Sequence, residues 1–147
     1  MLVKPHGHSE LDPRLVEEAQ RSEHLAEAKT LKSVQMTSRE LSDLLMFGMG
    51  AYSPLKGFMG EEAWKKCCTE LTTDQGLFWP IPITMSVPED VASSISIGQK
   101  VALIDEYATI YGTLEVDEKY SIDKELECQE VYRTLDPEHP GVEKVMA

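Results

Sequence analysis

Residues 79–87 read Trp-Pro-Ile-Pro-Ile-Thr-Met-Ser-Val and decide the fold class, because apolar residues alternate there with proline or small polar ones. A period of two is typical of a half-buried strand, with the odd-numbered side chains on one face. Pro80 and Pro82 lack an N–H, so we expect this strand at the edge of a sheet or as a lead-in to one. The chain before this stretch mostly follows a helical period, which makes the expected fold class α+β.

The most N-terminal segment, residues 12–31, predicts a weakly amphipathic helix. Asp12 can cap this helix, and Pro13 suits its first position. A short extended run at residues 33–36 then predicts a strand.

Two further helices are better marked. Thr37 and Glu40 have the spacing of a capping box, which begins one helix. Gly48 and Gly50 break that helix. The other helix begins at Gly60 and carries an amphipathic stripe formed by Trp64, Cys67, Cys68 and Leu71.

After residue 87 the chain predicts short strands and turns. Residues 101–104 and 109–116 predict a hairpin, whose connection at residues 105–107 lacks the usual glycine. Residues 123–126 predict a helical turn, and residues 131–132 predict a last strand. Residues 136–141 have the composition of a loop.

The overall charge limits the classes of partner. The chain has 147 residues, and 26 acidic against 14 basic residues give a net charge of −12. Phosphate neutralisation supplies most of the affinity of nucleic-acid binders, so this charge argues against nucleic acid as a partner. No apolar run approaches the ~18 residues of a membrane span, and the N-terminus carries no signal-peptide core. We therefore expect a cytoplasmic protein without a membrane partner.

No residue pattern predicts catalysis, a cofactor or a metal site. The cysteines, Cys67, Cys68 and Cys128, lack the C-x-x-C spacing of metal sites and predict reduced thiols. His6-Gly7-His8 offers two weak ligands, whereas a metal site needs three or four. The glycines of residues 48–50 end a helix, whereas a phosphate-binding glycine loop should begin one.

The loop of residues 50–60 carries three large apolar side chains between glycines and a proline. If Leu55, Phe58 and Met59 were exposed, they would form a sticky patch. Two interpretations stay open: these side chains dock on another domain, or they fill the core of this one. Ser53 in the same loop has no evident base partner and is no candidate nucleophile.

Five blocks of sequence, in order and at matching spacing, resemble ATP sulfurylases (sulfate adenylyltransferases). The blocks are residues 2–7, 38–44, 50–59, 79–84 and 136–142. The third is similar to the family's G-A-F-S-P-L-x-G-F-M stretch, the fourth to W-P-I-P-I-T and the fifth to D-P-x-H-P-G-V. They cover nearly the whole chain and resemble the N-terminal domain of these enzymes.

The resemblance implies a PUA-like small β-barrel with N-terminal helical additions. It implies one domain over residues 1–147, with the helical additions at about 1–75 and mainly β-structure at about 76–140. In the family this domain precedes a catalytic domain, which would be its partner. That enzyme is a nucleotidyltransferase of sulfate assimilation or sulfur energy metabolism. It joins sulfate to the α-phosphate of ATP with magnesium, giving adenosine 5′-phosphosulfate and pyrophosphate, and its homo-oligomerisation stays open.

The family's catalytic block, Q-x-R-N-P-x-H-x-x-H, has no counterpart in this chain, which contains no asparagine and no H-x-x-H. We therefore assign no catalytic, cofactor-binding or metal-binding residue and expect this segment alone to be inactive. Sulfate, ATP and magnesium would be bound by the parent enzyme only. Leu55, Phe58 and Met59 are the candidate interdomain contact. The alternatives are a PUA-like RNA-binding module and a stand-alone interaction or regulatory protein.

Overall fold

The structure is a computed structural model that describes residues 4–7 and 10–147. The described residues form six α-helices and three strands, with one 3₁₀ turn and one π-helical turn. The helices are α1 (Arg21–Ala28), α2 (Ser38–Gly48), α3 (Glu61–Glu70), α4 (Glu89–Ser93), α5 (Lys124–Glu127) and α6 (Pro140–Met146). The strands are β1 (Lys32–Gln35), β2 (Lys100–Ile104) and β3 (Ile110–Glu115). The 3₁₀ turn covers Glu18–Gln20 and the π-helical turn covers Cys128–Tyr132.

The three strands form one mixed sheet in the order β1-β2-β3. β1 runs parallel to β2, with Val34 opposite Leu103, and β2 runs antiparallel to β3. The α+β content expected from the sequence is confirmed, with a three-stranded sheet as its β component. The predicted strand at residues 33–36 and the predicted hairpin are confirmed as β1 and as β2 with β3.

The chain divides into two compact units. The first contains Met1–Phe58 and Met85–Glu118, and the second contains Met59–Thr84 and Lys119–Ala147. Each unit thus draws on both sides of residue 75. The expectation of one domain divided near that residue stays a prediction.

The first unit has its core on the sheet. Val34, Val101 and Leu103 are almost fully buried, and side chains of α2, α4 and the loop after α2 pack on them. Burying such side chains stabilises a fold by roughly 1.5–3 kcal/mol each. The second unit has its own core, in which Cys128 packs with Val142 and the half-buried Tyr132.

The expected strand at residues 79–87 is wrong, since this segment forms no ladder. The Met59 N–H donates to the Ile83 carbonyl at 2.8 Å, and the Trp79 N–H donates to the Leu71 carbonyl at 2.7 Å. Its backbone groups therefore bond to a loop and to a helix end. Pro80 and Pro82 explain why no strand forms. N–H groups two residues apart point to the same side of a strand, and both prolines lack one, so that side cannot pair fully with a neighbouring strand.

The expected helix over residues 12–31 forms only in its second half. α1 begins at Arg21, after the 3₁₀ turn, and residues 11–17 have no regular structure. The Arg14 N–H donates instead to the Phe47 carbonyl at the end of α2, at 3.1 Å. A hydrogen bond to a distant segment thus takes the place of the helical hydrogen bonds expected after Asp12 and Pro13.

The C-terminal segment is more helical than its composition predicts. The helical turn at residues 123–126 is confirmed as α5, whose N-cap is Asp123. The expected strand at residues 131–132 is wrong, because Val131 and Tyr132 lie in the π-helical turn. The expected loop at residues 136–141 already contains the start of α6.

Candidate functional site

The loop after α2, the candidate contact site, is anchored at Tyr52 and Ser53. The Tyr52 hydroxyl donates to Asp43 at 2.7 Å, and its ring meets Phe47 edge to face at 5.2 Å. Burial, with the hydrogen bond to Asp43, raises the pKa of Tyr52. The buried Ser53 hydroxyl donates to the Gly50 carbonyl at 2.6 Å and accepts from the Asp12 N–H at 2.9 Å. Both contacts of Ser53 are to backbone, so its role is to hold the loop.

The three apolar side chains of this loop have different surroundings. Phe58 is half-buried on the core of the first unit, with its ring 5.3 Å from that of Phe47. Met59 is buried in the second unit, where the Tyr120 hydroxyl donates to its carbonyl at 2.6 Å. Leu55 is half-buried. Phe58 and Met59 thus have packing within this chain, and docking of the loop on another domain stays a prediction.

Glu40 is the buried carboxylate at the start of α2. The predicted capping box is confirmed: the Thr37 side chain accepts from the Glu40 N–H, and Glu40 Oε2 accepts from the Thr37 N–H at 2.8 Å. Its other oxygen, Oε1, accepts from the Ser86 N–H at 2.8 Å. Hydrogen bonds from backbone N–H groups to both oxygens compensate the burial of this side chain. Glu40 therefore holds residues 85–87 against α2, a structural role that the capping-box spacing alone does not show.

The second unit contains the three thiols and a buried glutamate. Trp64 on α3 donates from Nε1 to Glu127 Oε2 at 2.6 Å, and Glu127 is 6% exposed. Cys67, Cys68 and Cys128 are free and fully buried. Burial, with the nearby Glu127 charge, raises the pKa of Cys67 and of Cys68 to about 12. These thiols are protonated at neutral pH, whereas nucleophilic and metal-binding cysteines are thiolates.

The block of residues 136–142 is a helix start built around His139. His139 Nδ1 accepts from the N–H groups of Gly141 at 3.1 Å and Val142 at 3.4 Å, so the imidazole caps α6. Pro140 occupies a first-turn position, where its missing N–H removes no helical bond. A Cβ on Gly141 would lie 2.5 Å from the Tyr132 ring. His139, Pro140 and Gly141 thus each have a structural role at the start of α6. The capping role of His139 is not predicted from the sequence.

The N-terminal histidines and the glycines of residues 48–50 are the features closest in sequence to a metal or phosphate site. Within residues 4–7 and 10–147, no group of three or more His, Cys, Asp or Glu side chains could hold a metal ion. His6 lies within this range, whereas His8 lies outside the described residues. Gly50, with φ of 76°, closes α2 and does not open a helix. Among the described residues, no side-chain group therefore fits magnesium, and the glycines of residues 48–50 end a helix instead of beginning one. In the part of the chain that the structure covers, no helix could cross a membrane.

The chain has an α+β fold with two cores, and the helix caps and buried polar side chains described above hydrogen-bond within the chain. A family model described as a PUA-like domain matches residues 3–147, so the chain belongs to that family. The chain is also similar to sulfate adenylyltransferases over 99% of its length. The identity is 54% for the enzyme of Syntrophobacter fumaroxidans and 47% for that of Psychrobacter cryohalolentis. The similarity fits the N-terminal domain of these enzymes, and the chain spans 36% of their length.

A solved structure shows the same fold within a larger protein. It is titled "Hexameric APS kinase from Thiobacillus denitrificans", is 28% identical and superposes with a TM-score of 0.72. The match covers 83% of this chain and 24% of that one.

Proposed function

We propose that this chain is the N-terminal scaffold domain of a sulfate adenylyltransferase, the enzyme that makes adenosine 5′-phosphosulfate and pyrophosphate from ATP and sulfate. The observation that carries the proposal is the identity of about half with such enzymes over 99% of the chain. The chain spans about a third of those enzymes, so the activity belongs to a larger polypeptide.

In this proposal the chain supports catalysis and supplies no catalytic residue. The absence of asparagine supports this view, because the family's catalytic block requires one. The protonated, buried thiols support it too, because they offer neither a nucleophile nor a metal ligand. ATP, sulfate and magnesium would then bind to the catalytic domain, which is the partner of this one.

The loop of Leu55, Phe58 and Met59 is the proposed contact with that catalytic domain. Of the three, Leu55 is the side chain that could serve docking most directly, because Phe58 packs on Phe47 and Met59 is buried. Leu55→Ser should weaken assembly with the catalytic domain more than it lowers the melting temperature of this chain. Phe58→Ala is the matched comparison and should lower the melting temperature, because Phe58 contacts the core. Equal assembly of Leu55→Ser and the unaltered chain would exclude the contact.

Three finer features belong to the same proposal. The three-stranded sheet would represent the small β-barrel of the PUA-like family. The hexameric relative supports homo-oligomerisation of the parent enzyme. A cytoplasmic location fits an enzyme that uses ATP.

RNA binding is the competing function for a PUA-like fold, and the net charge of −12 opposes it. A filter-binding assay at low salt would support it only with affinity stronger than about micromolar.

Domain replacement tests the proposed function. The chain replaces the matched part of the Syntrophobacter fumaroxidans enzyme, and the chimera is expressed in a host that lacks sulfate adenylyltransferase. We expect growth on sulfate as the only sulfur source. The catalytic part without any N-terminal domain is the control and should not support growth. A chimera that is produced as folded protein but fails to support growth would overturn the proposal.

A further inference from the structure

A group of apolar side chains on the first unit lies exposed beside the end of α2. Leu45, Gly48 and Met49 share one face of this helix end, and Leu15 lies on Gly48, with its side chain 3.3 Å from where a Cβ would be. Leu15 is 73% exposed. We name this surface the Leu15 patch, which comprises Leu15 on Gly48 together with Leu45 and Met49 of the same helix face, all three of them exposed.

The segment that displays Leu15 is held by its backbone. The Asp12 N–H donates to the Ser53 hydroxyl at 2.9 Å, and the Arg14 N–H donates to the Phe47 carbonyl at 3.1 Å. The N–H groups of Asp12 and Arg14 thus bond within the protein. The Leu15 side chain, by contrast, lies between α2 and solvent. Leu15 and Val16, in the same segment, are 73% and 49% exposed.

Two glycines make room for this segment. A Cβ on Gly48 would press on Leu15, and a Cβ on Gly50 would lie 3.1 Å from the Pro13 nitrogen. Gly50 also has φ of 76°, which disfavours any other residue. The close approach of the backbone at residues 12–13 therefore depends on Gly50, and Gly48 leaves room for the Leu15 side chain.

We propose that the Leu15 patch is a second docking surface for the catalytic part of the same polypeptide. This inference rests on the proposed function, and two observations select the occupant. The relatives are nearly three times as long as this chain, so a large additional domain is available to cover the patch. The net charge of −12 disfavours pairing of two copies of this chain through the patch, whereas homo-oligomerisation of the parent enzyme can use its other parts. Exposed apolar groups of this kind are typical of protein contact sites.

Thiol labelling tests the proposal directly, because all three native cysteines are fully buried. Leu15→Cys introduces one accessible thiol on the patch. Tyr107→Cys is the matched control, because Tyr107 lies in the same unit and is 80% exposed. Both variants are prepared in the 147-residue chain and in the domain-replacement chimera, and the rate of reaction with a maleimide is measured at several protein concentrations.

We expect Leu15→Cys to react at least about tenfold more slowly in the chimera at every concentration, while Tyr107→Cys reacts equally in both proteins. Fast labelling of Leu15→Cys in a chimera that still makes adenosine 5′-phosphosulfate would overturn the docking surface and leave the proposed function standing. An inactive chimera with fast labelling would overturn both. Protection that grows with the concentration of the 147-residue chain alone would assign the patch to a second copy and overturn the proposal.

Discussion

The carboxylate of Glu40 accepts a hydrogen bond from the backbone N–H of Ser86, 46 residues further along the chain, at 2.8 Å. The same carboxylate caps α2 through Thr37. One buried side chain thus satisfies main-chain donors from two distant segments of the first unit.

Glu40→Ala should lower the free energy of unfolding by about 2 kcal/mol, because it removes the buried carboxylate that accepts from the N–H groups of Thr37 and Ser86. Glu40→Gln should cost less, since one amide oxygen remains to accept. Urea unfolding followed by circular dichroism measures both. The control is Glu62→Ala in the exposed first turn of α3, expected within about 0.5 kcal/mol of the unaltered chain. A loss for Glu40→Ala no larger than that of the control would contradict the linking role.

The turn between β2 and β3 predicts a stabilising substitution. Ala108 has φ of 62°, and Asp105 Oδ1 accepts from the N–H groups of Tyr107 and Thr109 in place of a glycine turn. Ala108→Gly should raise the free energy of unfolding by about 1 kcal/mol, because glycine adopts a positive φ without a steric penalty.

Ala102→Gly in the centre of β2 is the matched substitution, and we expect it to lower the free energy of unfolding where Ala108→Gly raises it. Ala102 is fully buried in a strand, so the change should destabilise the chain by about 1 kcal/mol. The melting temperature should be higher than that of the unaltered chain for Ala108→Gly and lower for Ala102→Gly. Destabilisation by both would show that the positive φ at Ala108 carries no strain.

Replacing a glycine by alanine normally stabilises a helix, but we expect the opposite at Gly141 in α6. Gly141→Ala should destabilise the chain by about 1–3 kcal/mol, because the added methyl group would overlap the Tyr132 ring. Gly57→Ala is the control, since a Cβ there meets nothing within 4 Å. Thermal unfolding should show a lower midpoint for Gly141→Ala only. Combining Gly141→Ala with Tyr132→Ala should recover part of the loss, and an additive double variant would refute the overlap.

The buried thiols predict a loss of stability at alkaline pH. Ordinary thiols ionise near pH 9, whereas burial raises the pKa of Cys67 and Cys68 to about 12. Between these values the folded chain binds more protons than the unfolded chain, so the free energy of unfolding falls as pH rises. Unfolding measured at about pH 8 and about pH 10.5 should show this fall. Replacing both cysteines with alanine should flatten the slope, and an unchanged slope would exclude these thiols as its source.

Local signals in the sequence predicted the elements that depend on their own residues. The capping box at Thr37, the amphipathic face of α3 and the β2–β3 hairpin were all predictable because their hydrogen bonds or packing faces are set within a few positions. The second acceptor role of Glu40 was not, because its partner Ser86 is distant in sequence.

Tertiary bonding explains the elements that were predicted wrongly. Residues 12–17 carry helix-start signals, but the N–H of Arg14 bonds to the end of α2. His139 lies among loop-forming residues, yet its imidazole supplies the acceptor that begins α6. The Leu15 patch could not be predicted either, because it depends on the approach of two segments that only the folded chain brings together.

Pyrophosphate release from ATP and sulfate tests the central claim most directly. The assay compares the 147-residue chain alone, the domain-replacement chimera and the intact Syntrophobacter fumaroxidans enzyme. The account predicts background release from the chain alone and release from the chimera within about tenfold of the intact enzyme, equivalent to about 1.4 kcal/mol of activation free energy. Release above background from the chain alone, or a folded chimera without activity, would contradict the assignment of this chain as a non-catalytic support domain.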